Sequence, residues 1–272
     1  MPIELIAIDL DGTLLNDHKE VTPKVKETLG RAKAQGIKVV LCTGRPLVGA
    51  LEYLDILGLE EEGDYCITYN GALVQSSHDG KAIVHHTLNF EDFLAIEKLS
   101  REVGVHCHTI DMNAVYTANK NIGRYTVREC YLTGMPLQYC AVSDMDQNIE
   151  IGKMMMIDEP DILDAGIAQL PPSFFEKYTV LKSEPFYLEI LNKGASKGNA
   201  VAGLAEYLNI PRENVMAIGD NENDLDMIEY AGMGVAMDNA VPKVKAVADY
   251  ITKSNTEDGV AYVVEKYALE QA

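Results

Sequence analysis

Ile6-Ala7-Ile8-Asp9-Leu10-Asp11-Gly12-Thr13-Leu14 decides how the remainder of the chain is read. An apolar run from Ile3 to Ile8 stops at two carboxylates two residues apart, followed by glycine and threonine. On a strand, residues i and i+2 face the same side, so Asp9 and Asp11 are expected to converge on one point. Gly12 then lets the backbone turn tightly. Two like charges held ~4 Å apart repel by roughly 4 kcal/mol at an effective dielectric of about 20. A bound cation or a retained proton must offset that repulsion, and both belong to chemistry on phosphate.

Outward from this stretch the chain alternates strand and helix. Ile3 to Asp9 reads as a buried parallel strand, continuous and β-branched. Thr22 caps a helix with Pro23 at its first position, a buried stripe of Val21, Val25, Leu29 and Ala32, and Gly36 at its end. A strand over Lys38 to Thr43 runs into Gly44-Arg45-Pro46, a helix spans Leu47 to Leu57, and a third strand, Tyr65 to Tyr69, ends in Asn70-Gly71. Each strand ends in a polar residue, the pattern of a doubly wound α/β sheet that binds ligands beyond its carboxyl ends.

From about His85 the rhythm changes to helices with short paired strands. Helices are expected over Glu91 to Val103, Tyr125 to Leu132 and Ile162 to Leu170. Strands are expected over Val105 to Ile110, Ala114 to Ala118, Ile149 to Ile157, Tyr178 to Lys182 and Tyr187 to Leu191. After Asn192 the α/β rhythm returns. Ser196 caps a helix that begins with Lys197, a strand over Val215 to Gly219 ends in Asp220, and a helix follows from Asn223 to Ala231. Strands over Gly234 to Met237 and Tyr250 to Thr252 complete the sheet. The expected organisation is a mainly parallel α/β core of residues 1–84 and 192–272, interrupted by an α+β cap of residues 85–191.

Length, composition and charge narrow the function. A chain of 272 residues, 47% hydrophobic and 24% charged, suits two soluble domains. No run approaches the ~18 apolar residues of a membrane span, and the N-terminus lacks the basic start of a signal peptide. A net charge of −19 argues against nucleic acid or an anionic membrane as partner. Five scattered cysteines without a C-x-x-C pair suit a reducing cytoplasm. An anionic substrate then requires local cationic help, which a divalent metal bridging carboxylate and phosphate would supply.

Alone, Asp9-Leu10-Asp11-Gly12-Thr13 also reads as a structural turn. The other strand ends favour chemistry: Thr43-Gly44, Lys197 at a helix start, and Gly219-Asp220-Asn221-Glu222-Asn223-Asp224. A nucleophile, a hydroxyl donor, a cation and an acidic cluster at loop mouths are what phosphoryl transfer through a carboxylate needs. These stretches, with Thr43-Gly44-Arg45 and Ser196-Lys197-Gly198, resemble the four motifs of haloacid-dehalogenase-superfamily phosphatases of the Cof type. The resemblance spans essentially the whole chain, including the position and size of the insert.

The resemblance implies Asp9 as nucleophile, with an aspartyl-phosphate intermediate, and Asp11 as acid and base, its pKa raised by Asp9 and Asp220. It implies Mg²⁺, held by Asp9 and Asp220 and the backbone carbonyl of Asp11, with Asn221 and Asp224 as further or water-mediated contacts. Thr43 and the amides of Leu10 and Gly44 would hold phosphoryl oxygens, Lys197 would neutralise them, and Asn223 would contact phosphate or act only as a helix cap. Arg45 would reach substrate or pair with a core carboxylate. Asn70-Gly71 either borders the pocket or is only a turn.

The expected activity is hydrolysis of small phosphorylated metabolites, sugar phosphates foremost, with specificity from the cap and self-association into a homodimer left open. A phosphomutase of the phosphomannomutase kind, an idle metabolite-binding regulator and a two-component receiver are the rivals. His106-x-His108 is expected on a solvated cap face, and Met154-Met155-Met156 in a buried strand.

Overall fold

The computed structural model describes residues 2–269, which divide into two compact units, each taken here by itself. The first unit opens with β1 (Leu5–Asp9), α1 (Pro23–Ala34), β2 (Lys38–Cys42), α2 (Leu51–Leu57), β3 (Tyr65–Thr68), β4 (Leu73–Ser76) and β5 (Ala82–His85). The second comprises α3 (Phe90–Glu102), β6 (His106–Ile110), β7 (Val115–Thr117), α4 (Arg124–Thr133), β8 (Leu137–Tyr139), β9 (Lys153–Ile157), α5 (Pro160–Ile167), α6 (Pro172–Lys177), β10 (Tyr178–Glu184) and β11 (Tyr187–Asn192). The chain then returns to the first unit with α7 (Lys197–Tyr207), β12 (Val215–Gly219), α8 (Leu225–Tyr230), β13 (Met233–Ala236), α9 (Pro242–Val247), β14 (Tyr250–Ile251) and α10 (Gly259–Val264).

The first unit's sheet has the order β14-β13-β12-β1-β2-β3-β4-β5, parallel from β14 through β3. All five residues of β1 are buried, as its unbroken apolar run requires for a central strand covered on both faces. Thr22 accepts the Val25 N–H as the expected cap, and the stripe Val25, Leu29 and Ala32 is buried. The register sets Asp9 beside Cys42 and Ile8 beside Ile218, so β12, β1 and β2 end side by side.

Several expectations change. The sheet does not stop at β3. A hairpin, β4 and β5, extends it antiparallel, and the strands are too short and mixed in polarity to stand out in the sequence. The turn between β3 and β4 holds Gly71 at φ +92°, where a Cβ would meet the Ser196 carbonyl at 2.0 Å. The unit boundaries fall at His85/His86 and Ala195/Ser196, against the expected 84/85 and 191/192. His85 pairs with Leu73 in the core sheet, whereas Asn192 donates to the Thr87 carbonyl of the second unit.

The second unit is a six-stranded sheet of order β10-β11-β9-β6-β7-β8, with only β7 and β8 parallel. Met154, Met156, Cys107, Leu188 and Ile190 pack on one face with Phe93 and Ile96 of α3, Leu163 of α5 and Phe174 of α6. The strand expected from Ile149 is shorter, and all five residues of β9 are buried. The other face carries Lys153, His108 and Glu189. There Lys153 Nζ lies 3.4 Å from Oε1 of both Glu129, on α4, and Glu189. The expected solvated face is therefore wrong for His108, which is 1% exposed because Thr126 of α4 covers it. Burial, with Lys153 nearby, pushes its pKa down to about 3.

Candidate active site

The carboxyl ends of β1, β2 and β12 deliver Asp9, Thr43 and Asp220 to one edge of the first unit's sheet, the place where open α/β sheets bind ligands. Asp9, Asp220 and Asp224 form one group whose ligand atoms lie within 4.8 Å of one another. Lys197, at the first position of α7, reaches into it: its Nζ is 2.5 Å from Asp9 Oδ1 and 2.6 Å from Asp224 Oδ1. Ser196 makes this possible by capping α7 through the Asn199 N–H, which fixes where the helix begins.

The group is short of positive charge, with three carboxylates facing one ammonium. Burial first, then the Asp224 carboxylate, push the Asp9 carboxyl well above its usual 3.8, against the pull of Lys197. Asp220 is raised too, by burial and by Asp224, although the Thr13 hydroxyl donates to its Oδ1 at 2.8 Å. Lys197 is held above its usual pKa: its burial is outweighed by Asp224 and Asp9. An oxygen-only donor set with excess negative charge fits a hard divalent cation.

Geometry around the group is tight. Gly12 stands at φ +93°, and a Cβ there would lie 2.6 Å from Asp220 Oδ2. Asp224 is fully buried. Its Oδ1 accepts from Lys197, and its Oδ2 accepts the amides of Asp220 and Asn221 at 2.9 and 3.0 Å. Its position in the group is thus also that of a brace for the Asp220 loop. Asn221 Oδ1 accepts the Glu222 N–H and caps the short turn that Asp224 closes, so its side chain is turned to the backbone. Asn223 is not the cap. It donates to Asn70 Oδ1 at 3.0 Å, and the Asn70 backbone N–H donates to the Thr43 carbonyl. Asn70 therefore ties the loop after β2 to the loop after β12, and is more than a turn residue. Thr43 is buried, its Oγ1 accepting the Arg45 N–H at 3.1 Å, and a Cβ on Gly44 would meet the Asn70 amide at 3.0 Å.

Asp11 departs from expectation. Its carboxylate is not in the three-carboxylate group. Arg45 holds it with two bonds, Nε to Oδ2 at 3.0 Å and Nη2 to Oδ1 at 2.7 Å, and Lys19 Nζ reaches Oδ1 at 2.9 Å. The strand ends at Asp9, so the two-residue alternation that predicted convergence no longer applies at Asp11. Burial alone would raise its pKa, but the bonds from Arg45 and Lys19 outweigh it and hold the carboxyl below its usual 3.8. The expected raised pKa is thus reversed. Arg45 takes the ion-pair role of its two readings.

Several participants carried no motif signal. Asn239 donates to the Gly12 carbonyl at 2.8 Å, and Asn255 to the Leu15 carbonyl at 2.9 Å, bracing the loop after β1. Both lie more than two hundred residues from that loop, so only the folded sheet brings them there. A cavity of about 540 Å³, bordered by Arg101, His106, Lys120 and Tyr139, belongs wholly to the second unit and holds none of these residues.

Comparison with known proteins identifies the family. Residues 6–264 match the family described as haloacid dehalogenase-like hydrolase. The chain is 49% identical over 266 residues to a Bacillus subtilis protein named "Putative phosphatase YxeH", covering 98% of each. It is 34% identical to 5-amino-6-(5-phospho-D-ribitylamino)uracil phosphatase YcsE of the same species, over 98% of this chain and 96% of that one. A crystal structure of a haloacid dehalogenase-like hydrolase from Bacteroides thetaiotaomicron superposes with a TM-score of 0.85 at 34% identity, covering 97% of this chain and 99% of that one.

Proposed function

The chain belongs to the haloacid dehalogenase-like hydrolases, and on that premise we propose that it is a Mg²⁺-dependent phosphatase of small phosphorylated metabolites, sugar phosphates foremost. The observation that carries the reading is the buried Asp9 carboxylate paired with Lys197, next to Asp220 and Asp224, at the carboxyl edge of the sheet. The sugar-phosphate preference is our extension of the resemblance that the four motifs and the insert bear to phosphatases of the Cof type. Selection of the alcohol is assigned to residues 86–195, the second unit. A reducing cytoplasm is the compartment that suits its five free cysteines. No helix of the described residues is long and apolar enough to cross a membrane.

In this reading an Asp9 carboxylate oxygen attacks phosphorus, and the bond from phosphorus to the alcohol oxygen breaks. The departing electron pair stays on that oxygen, which takes a proton from Asp11. Water then attacks the aspartyl-phosphate, gives its proton to Asp11, and releases phosphate and Asp9. Lys197, Thr43 and the amides of Leu10 and Gly44 hold the phosphoryl oxygens, with Asn223 a further donor at the edge. Asp9, Asp220 and the Asp11 carbonyl are the groups that would hold Mg²⁺, Asp224 and Asn221 completing the set directly or through water. The ion supplies neutralisation of charge shared by nucleophile and phosphate. Arg45 and Lys19 keep Asp11 ionised in the free enzyme, the form that takes a proton from water. The phosphate dianion of a substrate raises the Asp11 pKa toward the donating form.

Phosphate release across a panel of sugar phosphates, nucleotides and cofactor phosphates, with and without Mg²⁺, tests the reading. Turnover that needs Mg²⁺ and is lost in Asp9→Asn supports it. Isomerised sugar phosphate with little free phosphate would point to a phosphomutase, and no turnover on the whole panel to a binding protein.

A further inference from the structure

A carboxylate oxygen has two lone pairs, and the two oxygens of Asp11 are used unequally. Among the described residues, Oδ1 accepts from both Lys19 Nζ (2.9 Å) and Arg45 Nη2 (2.7 Å), whereas Oδ2 accepts only from Arg45 Nε (3.0 Å). Lys19 is the unexpected member of this set, with 60% of its side chain exposed and no motif around it. Exposed lysines usually drift, and their ion pairs count for little. This one is aimed by its backbone. Lys19 sits at φ +61°, a region that non-glycine residues seldom occupy. The turn is closed on both sides, because Asn16 Oδ1 accepts the amides of His18 and Glu20 at 2.9 and 3.0 Å, and Lys19 N–H donates to the Asn16 carbonyl. Asn255 anchors the same loop through the Leu15 carbonyl.

We propose that Lys19 is a positioning residue for Asp11, filling the second lone pair of Oδ1 so that Oδ2 is the oxygen that gives and takes the proton. The inference rests on the phosphatase reading. In the first half-reaction the Oδ2 proton moves to the departing alcohol oxygen as the phosphorus–oxygen bond breaks and the bond to Asp9 forms. In the second, Oδ2 takes the proton of the attacking water. Without Lys19 either oxygen carries the proton, and the carboxyl group turns between them.

The test is steady-state kinetics of the full chain with Mg²⁺, comparing wild type with Lys19→Met, Lys19→Arg and Asn16→Ala. Two substrates are used: p-nitrophenyl phosphate, whose leaving group departs without a proton, and the sugar phosphate that wild type turns over best. Lys19→Met is expected to lower kcat/KM, which reports only the steps through departure of the leaving group, on the sugar phosphate by about fivefold or more, with kcat/KM on p-nitrophenyl phosphate within about twofold. Lys19→Arg restores most of the loss, and Asn16→Ala, which unpins the turn, gives a smaller loss of the same selectivity. Equal losses of kcat/KM on both substrates, no loss, or a selective gain would overturn the assignment while leaving the phosphatase reading intact. Failure of wild type on both substrates would instead remove the phosphatase reading, and this inference with it.

Discussion

Lys197 Nζ lies 2.6 Å from Asp224 Oδ1, and neither side chain is exposed to solvent. Removing one partner of such a pair leaves a buried charge uncompensated, which typically costs about 3–5 kcal/mol. Lys197→Met leaves three carboxylates together without a cation and should lose stability in that range, measured by urea unfolding in EDTA. Mg²⁺ should restore more stability to this variant than to wild type. Asp224→Asn should lose less, because Lys197 keeps Asp9 as partner. The reverse order would contradict the charge arrangement.

Two glycines should respond oppositely to alanine. At Gly12 the backbone is left-handed and the new Cβ would lie 2.6 Å from Asp220 Oδ2, so Asp220 must move. Gly12→Ala should lower kcat by about a hundredfold or more and abolish the thermal shift caused by Mg²⁺. Gly30 is in α1 with nothing among the described residues within 4 Å of its Cβ position, so Gly30→Ala should stabilise by about 0.5–1 kcal/mol with activity unchanged.

Asp9 and Asp220 both bind their protons more tightly in the folded chain than at the usual 3.8, burial being the largest cause. Folding therefore takes up protons. Their contribution is most favourable below pH 3.8 and is lost as pH rises through the raised folded pKa values. In EDTA, Asp9→Asn should accordingly gain stability over wild type as pH rises from about 4 to about 8. Mg²⁺ favours the ionised carboxylates and should shrink that difference. A difference independent of pH in EDTA would contradict the raised Asp9 pKa.

His108 carries the opposite linkage in the second unit. Its folded pKa of about 3 lies below the usual 6.5, so the unfolded chain takes up the proton first. Stability is then lost as pH falls from 6.5 toward 3, by at most about 1.4 kcal/mol per pH unit. Its Nε2 is buried without a hydrogen-bond partner among the described residues. His108→Phe should remove that acid sensitivity and gain about 1–3 kcal/mol where the buried nitrogen costs most. Amide exchange over residues 106–110 at about pH 5 and pH 7 reads both effects. An unchanged pH dependence in the variant would refute it.

The sequence was most legible where one local rule governs a residue. The β1 run, the Thr22 and Ser196 caps and the polar strand ends each follow from short-range chemistry, and they located Asp9, Thr43, Lys197 and Asp220. Legibility failed where the partner is remote or the element short. Asp11 was misplaced because strand alternation was carried one turn too far. Lys19, Asn239 and Asn255 were invisible because their contacts depend on loop closure. The hairpin β4–β5 and the helices α9 and α10 are only four to six residues long, too short for periodicity to register. His108 was misread because its strand's second face is covered by α4, and a strand's own sequence does not say what covers it.

Trapping the covalent intermediate tests the central claim most directly. Wild type with Mg²⁺ is mixed with the sugar phosphate it turns over best, quenched in acid during the first turnover, digested and read by mass spectrometry. A phosphoryl group on the Asp9 peptide, absent in Asp9→Asn, is the predicted result. Rapid turnover with no phosphoryl group on Asp9, or full activity in Asp9→Asn, would contradict the account.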